Sequence, residues 1–237
     1  MNNFEQQPRR YKWILFDADN TLFHFHDQLG LERLFSQYDH RLTTQEFSAY
    51  KAVNNALWQA YEQNRITATE LAEQRFSRWA SRFGVTATEL NRQFMHVMAE
   101  VCVPMPGVQT LLMNLNETVD MGIITNGFTL LQQARLRRYS LDQWFRFVVT
   151  SEEVGVAKPH TDIFTYAQQY MTGVLPSQVL MVGDNPNSDI VGGNAVGFDT
   201  CWLNLDGQYE DGGIKATYEV TSWFDLQSLL IPASQPV

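Results

Sequence analysis

A doubly wound, Rossmann-like α/β sheet with a helical cap inserted after its first strand is the fold this sequence predicts. Three observations predict it. Short apolar runs recur along the chain, each ending at a polar or glycine-bearing turn, as parallel strands buried on both faces do. Helix-length amphipathic segments separate the later runs, and alternating strand and helix implies a parallel sheet with crossovers. One long interval, residues 24–103, shows helical periodicity and no clear strand run.

The first strand is Trp13 to Phe16, and it ends at Asp17-Ala-Asp19-Asn-Thr21. Within the insertion, Thr43 with Glu46, Thr67 with Glu70 and Thr86 with Glu89 read as three capping boxes, each placing a hydroxyl and a carboxyl where free helical amides need acceptors. Phe47, Tyr50, Asn54, Leu57 and Tyr61 then recur at helical spacing, as do Leu90, Phe94, Val97, Met98 and Val101. Pro104 and Pro106 close the insertion. Beyond them, strand runs at Met121 to Ile124, Phe147 to Val149, Val179 to Val182 and Thr200 to Leu203 alternate with helical segments around Val108 to Leu115, Thr129 to Tyr139, Asp162 to Met171 and Asn187 to Val196. The expected organisation is a core of residues 10–23 and 104–231, a cap of residues 24–103, and flexible tails at 1–9 and 232–237.

Composition narrows the function. Hydrophobic residues at 44% and charged residues at 18% of 237 are ordinary for a folded soluble protein. A formal charge of −9 without any Lys/Arg run disfavours polymeric nucleic acid and anionic membrane as partners. It also repels anionic substrates at long range, so a phosphate site here depends on local cations and backbone donors. Cys102 and Cys201 lie far apart with no CxxC spacing, which suggests neither a disulfide framework nor a zinc site. They read as buried packing residues in a reduced, cytoplasmic setting. Met1 to Arg10 lacks the apolar core of a signal segment, and no apolar stretch is long enough to cross a bilayer.

The chemistry concentrates in four stretches: Asp17-Ala-Asp19-Asn-Thr21, Thr125-Asn126-Gly127, Lys158-Pro159, and Gly183-Asp184 with Asp189 five positions later. Each lies at or just past an expected strand end, where open α/β sheets bind ligands. A single Asp there would read as a turn or capping residue, but four motifs in register do not. A phosphoryl group carries negative charge that carboxylates alone would repel. A hard divalent cation takes oxygen ligands from carboxylates and phosphate together, and Lys158 adds a fixed positive charge.

The order DxDxT, T/S, K, GDxxxxD resembles the haloacid dehalogenase superfamily of phosphohydrolases. By that resemblance Asp17 is the nucleophile, forming an aspartyl-phosphate, and Asp19 is the general acid and base. Thr125 and the Asn126 amide would hold phosphoryl oxygens, and Lys158 would offset charge on them and on Asp17. Asp17, Asp184 and the Asp19 backbone carbonyl would hold Mg2+, with Mn2+ as a substitute. Asp189 would support Lys158 or a metal-bound water. Asn20 stands where the superfamily often has Gly, so a positive φ is expected there.

Lys158 follows Thr125 by 33 positions and Asp184 follows Lys158 by 26, gaps too short for a second cap. A single helical cap implies a small-molecule phosphate monoester as the partner, with water excluded on closure. Nearly the whole chain is similar to the bacterial pyrimidine 5'-nucleotidases of this superfamily, through Asp17 to Phe23, Gly122 to Thr129, Ser151 to Pro159, Val179 to Asp184, and the cap segments Ala52 to Trp58 and Met98 to Cys102. The resemblance implies hydrolysis of UMP, dUMP, dTMP and related nucleotides, with Phe23, His24, Asn54, Trp58 and Phe128 as candidate pocket residues. Trp79 and Phe94 read as core. Sugar phosphates or phosphoglycolate are the alternative substrates, and a non-catalytic nucleotide-binding module is the alternative class. Glu152 and Glu153 read as a solvated loop, or as holding a water near the metal. Nothing in the sequence sets the number of subunits.

Overall fold

The computed structural model describes residues 11–205, 207 and 213–231. The two expected tails, 1–9 and 232–237, lie outside the described residues. Among the described residues six strands form one parallel sheet in the order β3-β2-β1-β4-β5-β6. They are β1 Trp13–Phe16, β2 Asp120–Thr125, β3 Phe147–Thr150, β4 Val179–Gly183, β5 Asp199–Leu203 and β6 Tyr218–Val220. Five match the expected runs to within one residue at each end. β6 was not expected: three residues with Glu219 at the centre carry no readable period.

β1 shows why its residues run apolar without alternation. Ile14 and Phe16 face one hydrophobic cluster while Trp13 and Leu15 face the other, so both faces are covered. The helices α5 Val108–Leu115, α6 Thr129–Arg138, α7 Ser151–Val154, α8 Thr161–Gln168, α9 Val191–Ala195 and α10 Trp223–Leu230 complete the layers, with a π turn at Pro186–Ile190 leading into α9. That turn divides the single helix expected from Asn187 to Val196.

Four helices come between β1 and α5: α1 Asp27–Ser36, α2 Thr44–Glu62, α3 Ala68–Phe83 and α4 Ala87–Val101. Thr43 and Thr67 form full capping boxes, each hydroxyl accepting the backbone N–H of a Glu whose carboxylate accepts the Thr N–H in return. The third box is only half made. Thr86 accepts the Glu89 N–H at 3.1 Å, but the Glu89 carboxylate takes two charge-assisted bonds from Arg92 at 2.8 Å each instead of reaching back. A guanidinium one turn on outbids a neutral amide for the same carboxylate.

The aromatic residues of this cap make its core. Phe35, Trp79 and Phe83 pack together, as do Tyr50, Phe76 and Phe94. Both Trp79 and Phe94 are buried, as expected.

Candidate active site

The strand order turns back on itself between β1 and β4, and a crevice opens at their carboxyl ends. Phe16 pairs with Val182, so the next residues, Asp17 and Gly183, lie side by side, and the Asp17 N–H donates to the Val182 carbonyl at 2.9 Å. Into this crevice reaches Lys158, only 1% exposed. Its Nζ donates to Asp17 Oδ1 at 2.6 Å, Asp189 Oδ1 at 2.6 Å and the Ile124 carbonyl at 2.7 Å, which places all three of its hydrogens.

Each partner is itself held. The Asn126 side chain clamps the Lys158 backbone from both sides, donating to its carbonyl at 2.9 Å and accepting its N–H at 2.7 Å. That leaves the Asn126 backbone N–H, not its side chain, to meet a ligand beside Thr125. Asp189 Oδ2 accepts the Asn185 N–H at 3.1 Å. A Cβ on Gly183 would sit 2.1 Å from that same oxygen, so glycine is needed for this approach. Thr21 Oγ1 donates to Asp184 Oδ1 at 3.2 Å and accepts the Asp184 N–H at 3.1 Å, while Trp202 donates to the Asp184 carbonyl at 3.0 Å. Asn20 has φ 58, the positive value that the turn was expected to need.

The electrostatics of the crevice are unbalanced. Oxygens of Asp17, Asp184 and Asp189 lie within 4.8 Å of one another. Burial and the charges of Asp17 and Asp189 push Asp184 up to about 8, and burial also raises Asp189, to about 6, against the pull of Lys158. Burial works against the Lys158 ammonium, but Asp17 and Asp189 more than offset it and hold its pKa above the ordinary lysine value. Three carboxylates thus face one ammonium through oxygen donors alone, a setting that suits a hard divalent cation such as Mg2+. Both oxygens of Asp189 already accept hydrogen bonds, so Asp17 and Asp184 are the better ligands and Asp189 the better anchor for Lys158.

A pH dependence follows. Because the folded protein raises Asp184 from 3.8 to about 8, it holds a proton that the unfolded chain has already released, and metal-free stability falls as pH rises through that window. A cation that needs the ionised form reverses this. Mg2+ is therefore expected to raise the melting temperature more at pH 8 than at pH 5.5. Equal shifts at both values, measured by thermal melts against EDTA controls, would place the metal elsewhere.

Asp19 stands apart from the Lys158 cluster. Its Oδ1 accepts Arg135 Nη1 at 2.5 Å. Burial raises its pKa, Arg135 opposes this, and the charge of Asp17 reinforces it. Arg135 lies on α6, which starts directly after the Thr125–Phe128 loop, and it is 0% exposed. Its Nε and Nη2 both donate to Gln132 Oε1, at 3.1 and 2.6 Å, and its face lies 4.3 Å from the centre of the Phe23 ring. With that oxygen occupied by a donor-only group, the Gln132 amide must turn its Nε2 the other way. A Cβ on Gly127 would come 2.4 Å from that nitrogen. Neither Arg135 nor Gln132 was expected from the sequence.

The five candidate pocket residues divide. Phe23 is fully buried beneath Arg135 and Tyr139, so it supports the site from below and does not face a ligand. His24 is half-buried and stacks on His26 at 5.5 Å. Phe128 meets two cap side chains, the edge of Trp58 at 6.0 Å and Arg75 at 4.9 Å. Asn54 is buried on the same face of α2 as Trp58, and its Oδ1 has no hydrogen-bond partner. Arg75, also unforeseen, is buried among Phe76, Phe94 and Phe128 and donates to Asn91 Oδ1.

Glu152 and Glu153 are not a bare loop: they lie in α7. Glu152 accepts the Thr129 N–H at 2.8 Å, which caps α6, and Glu153 accepts the Tyr166 hydroxyl at 3.0 Å. Cys102 and Cys201 are buried thiols, and burial raises both pKa values, that of Cys201 to about 12. No helix among the described residues is long and apolar enough to cross a membrane.

Comparison with known proteins matches this geometry to relatives. A family profile described as haloacid dehalogenase-like hydrolase fits residues 11–197. The pyrimidine 5'-nucleotidase YjjG of Escherichia coli is 45% identical over 221 residues, covering 93% of this chain and 98% of that protein. The pyrimidine 5'-nucleotidase PynA of Streptococcus pneumoniae is 33% identical over 229 residues, 93% and 95% of the two chains. A crystal structure of the HAD-hydrolase YfnB of Bacillus subtilis, described as bound to magnesium and as revealing interdomain movement, superposes with TM-score 0.81 at 31% identity over 94% and 99% of the chains.

Proposed function

Because the chain belongs to the haloacid dehalogenase-like hydrolase family, and is with its relatives a phosphoric monoester hydrolase, we propose that it is a Mg2+-dependent 5'-nucleotidase acting on pyrimidine nucleoside monophosphates. The chemistry rests on one observation above all: a buried Lys158 that grips Asp17 and Asp189 beside Asp184 at the carboxyl end of a parallel sheet. The substrate class rests on relatedness that spans the cap as well as the core.

In the first step a carboxylate oxygen of Asp17 attacks phosphorus. The bond from phosphorus to the nucleoside 5'-oxygen breaks, and Asp19 gives that oxygen its proton. In the second step water attacks phosphorus, its proton passes to Asp19, and the acyl phosphate bond breaks to return Asp17 and release phosphate. Thr125 and the Asn126 N–H hold phosphoryl oxygens through both steps, and Lys158 offsets their charge. Asp17, Asp184 and the Asp19 carbonyl would hold a divalent cation, which would supply further positive charge against the phosphate. Residues 24–103 serve as the cap, where Phe128, Trp58 and the unpartnered Asn54 Oδ1 offer a base a flat apolar face and one acceptor.

The test is phosphate release from nucleoside monophosphates, sugar phosphates and phosphoglycolate, with Mg2+ and with EDTA. UMP, dUMP and dTMP are expected to lead the panel, with activity lost in EDTA. A preference for sugar phosphates would keep the chemistry and discard the nucleotide.

A further inference from the structure

We propose that Arg135 is a positioning residue that fixes Asp19 so that its Oδ2, and not Oδ1, carries the catalytic proton; this rests on the phosphatase reading above. A guanidinium has donors and no acceptor. The oxygen that Arg135 contacts, Asp19 Oδ1, therefore serves as an acceptor, a role that the carbonyl oxygen of a protonated carboxyl fills better than its hydroxyl oxygen. The proton resides on Oδ2, the oxygen that Arg135 does not contact.

The brace is stiff. Arg135 has no exposure, two of its nitrogens share Gln132 Oε1, and Phe23 covers one face at 4.3 Å. Turning the guanidinium would break these bonds inside a packed interior, where lost donors are costly. The same helix that carries Arg135 begins at Thr129, shortly after Thr125, which ends β2, and Asn126 in the loop that follows. One rigid element thus sets both the groups proposed to hold phosphate and the orientation of the acid proposed to protonate the departing oxygen. Burying an arginine at this point is costly as a stabilising device, and among the described residues its single carboxylate partner is Asp19, whose side chain stays 29% exposed.

The experiment separates positioning from packing by the leaving group. An alkoxide needs a proton to depart, whereas p-nitrophenolate does not, and kcat/KM reports only the steps through that departure. Arg135→Met and Arg135→Lys are assayed on the best alkyl ester of the wild type and on p-nitrophenyl phosphate, with saturating Mg2+. The ratio of alkyl to aryl kcat/KM is expected to fall about 30-fold in R135M, chiefly through kcat, and to be partly restored in R135K, which keeps a charged N–H donor.

Should R135M fail to fold, R135K and Gln132→Leu, which leaves Arg135 unbraced, are expected to shift the ratio in the same direction by smaller factors. A ratio unchanged in the folded variants, whatever the absolute losses, would reduce Arg135 to a packing residue and overturn the proposal. In that case a wild type active on both esters leaves the phosphatase reading standing, whereas a wild type inert on both overturns the two together.

Discussion

Asp17→Asn is expected to abolish phosphate release, lowering kcat by at least about 10⁴-fold, in a protein that still folds. The substitution keeps the shape of the side chain and an oxygen that can accept from Lys158 Nζ, and Lys158 retains Asp189 and the Ile124 carbonyl. It removes one of three clustered carboxylates, which relieves repulsion on Asp184. The melting temperature should stay within about 3 °C of wild type. What the amide lacks is a nucleophilic oxygen, so no acyl phosphate can form. Rapid quench of the wild type with labelled substrate should trap an alkali-labile phosphoprotein that the variant never shows. Residual turnover of a tenth of wild type in purified D17N would move the nucleophile elsewhere. A wild type that binds nucleotide as tightly as D17N and turns over nothing would favour a regulatory binding module.

The fold was legible where physics leaves a period in the sequence. Strands buried on both faces show as unbroken apolar runs, and β1 to β5 were found that way. Capping boxes marked α2 and α3, because a threonine and a glutamate three residues apart have few other reasons to recur ahead of an apolar stripe. The failures were of another kind. At α4 the Thr86 hydroxyl caps as expected while Glu89 turns to Arg92, a competition decided by side-chain geometry that spacing does not encode. The three residues of β6 pair along an edge with β5, a tertiary event with no local pattern.

The site was legible through its acidic and lysine motifs, and what the sequence hid was the set of buried cations beneath and above it. On α6 and at its two caps the residues Phe128, Leu131, Gln132, Arg135, Leu136 and Tyr139 fall at spacings of three and four. An arginine in the middle of that stripe was the signal for Arg135, since a charge there must either break the helix packing or have a buried partner. The stripe Leu71, Ala72, Arg75, Phe76 and Trp79 on α3 carries the same signal. Which partner each arginine finds, Asp19 in one case and Asn91 in the other, depends on elements far away in the chain. Phe23 was misread for a related reason. Its place after the catalytic turn suggested a pocket wall, but the ring is needed as the floor on which Arg135 lies.

Lys158→Met should cost both activity and stability, and the stability loss should depend on pH. The ammonium is the one cation in contact with Asp17 and Asp189 among the described residues, and it is buried with them. Removing one partner of a buried ion pair leaves charge without compensation, typically about 3–5 kcal/mol, which for a chain of this size is roughly 10 °C in melting temperature. The remaining carboxylates can escape by taking up protons. Asp189 already stands at about 6 and Asp184 at about 8 with Lys158 in place, and losing the ammonium removes the one influence of charge that lowers them. At pH 5.5 both are then largely neutral in the folded variant and the penalty shrinks. At pH 8 ionisation is forced on at least one of them and the penalty is near its full size. In EDTA the gap in melting temperature between wild type and K158M should therefore widen from pH 5.5 to pH 8, and Mg2+ should narrow it at the higher value. A gap of the same size at both pH values would mean that Lys158 acts by filling space, and that the crevice has some other way of containing its charge.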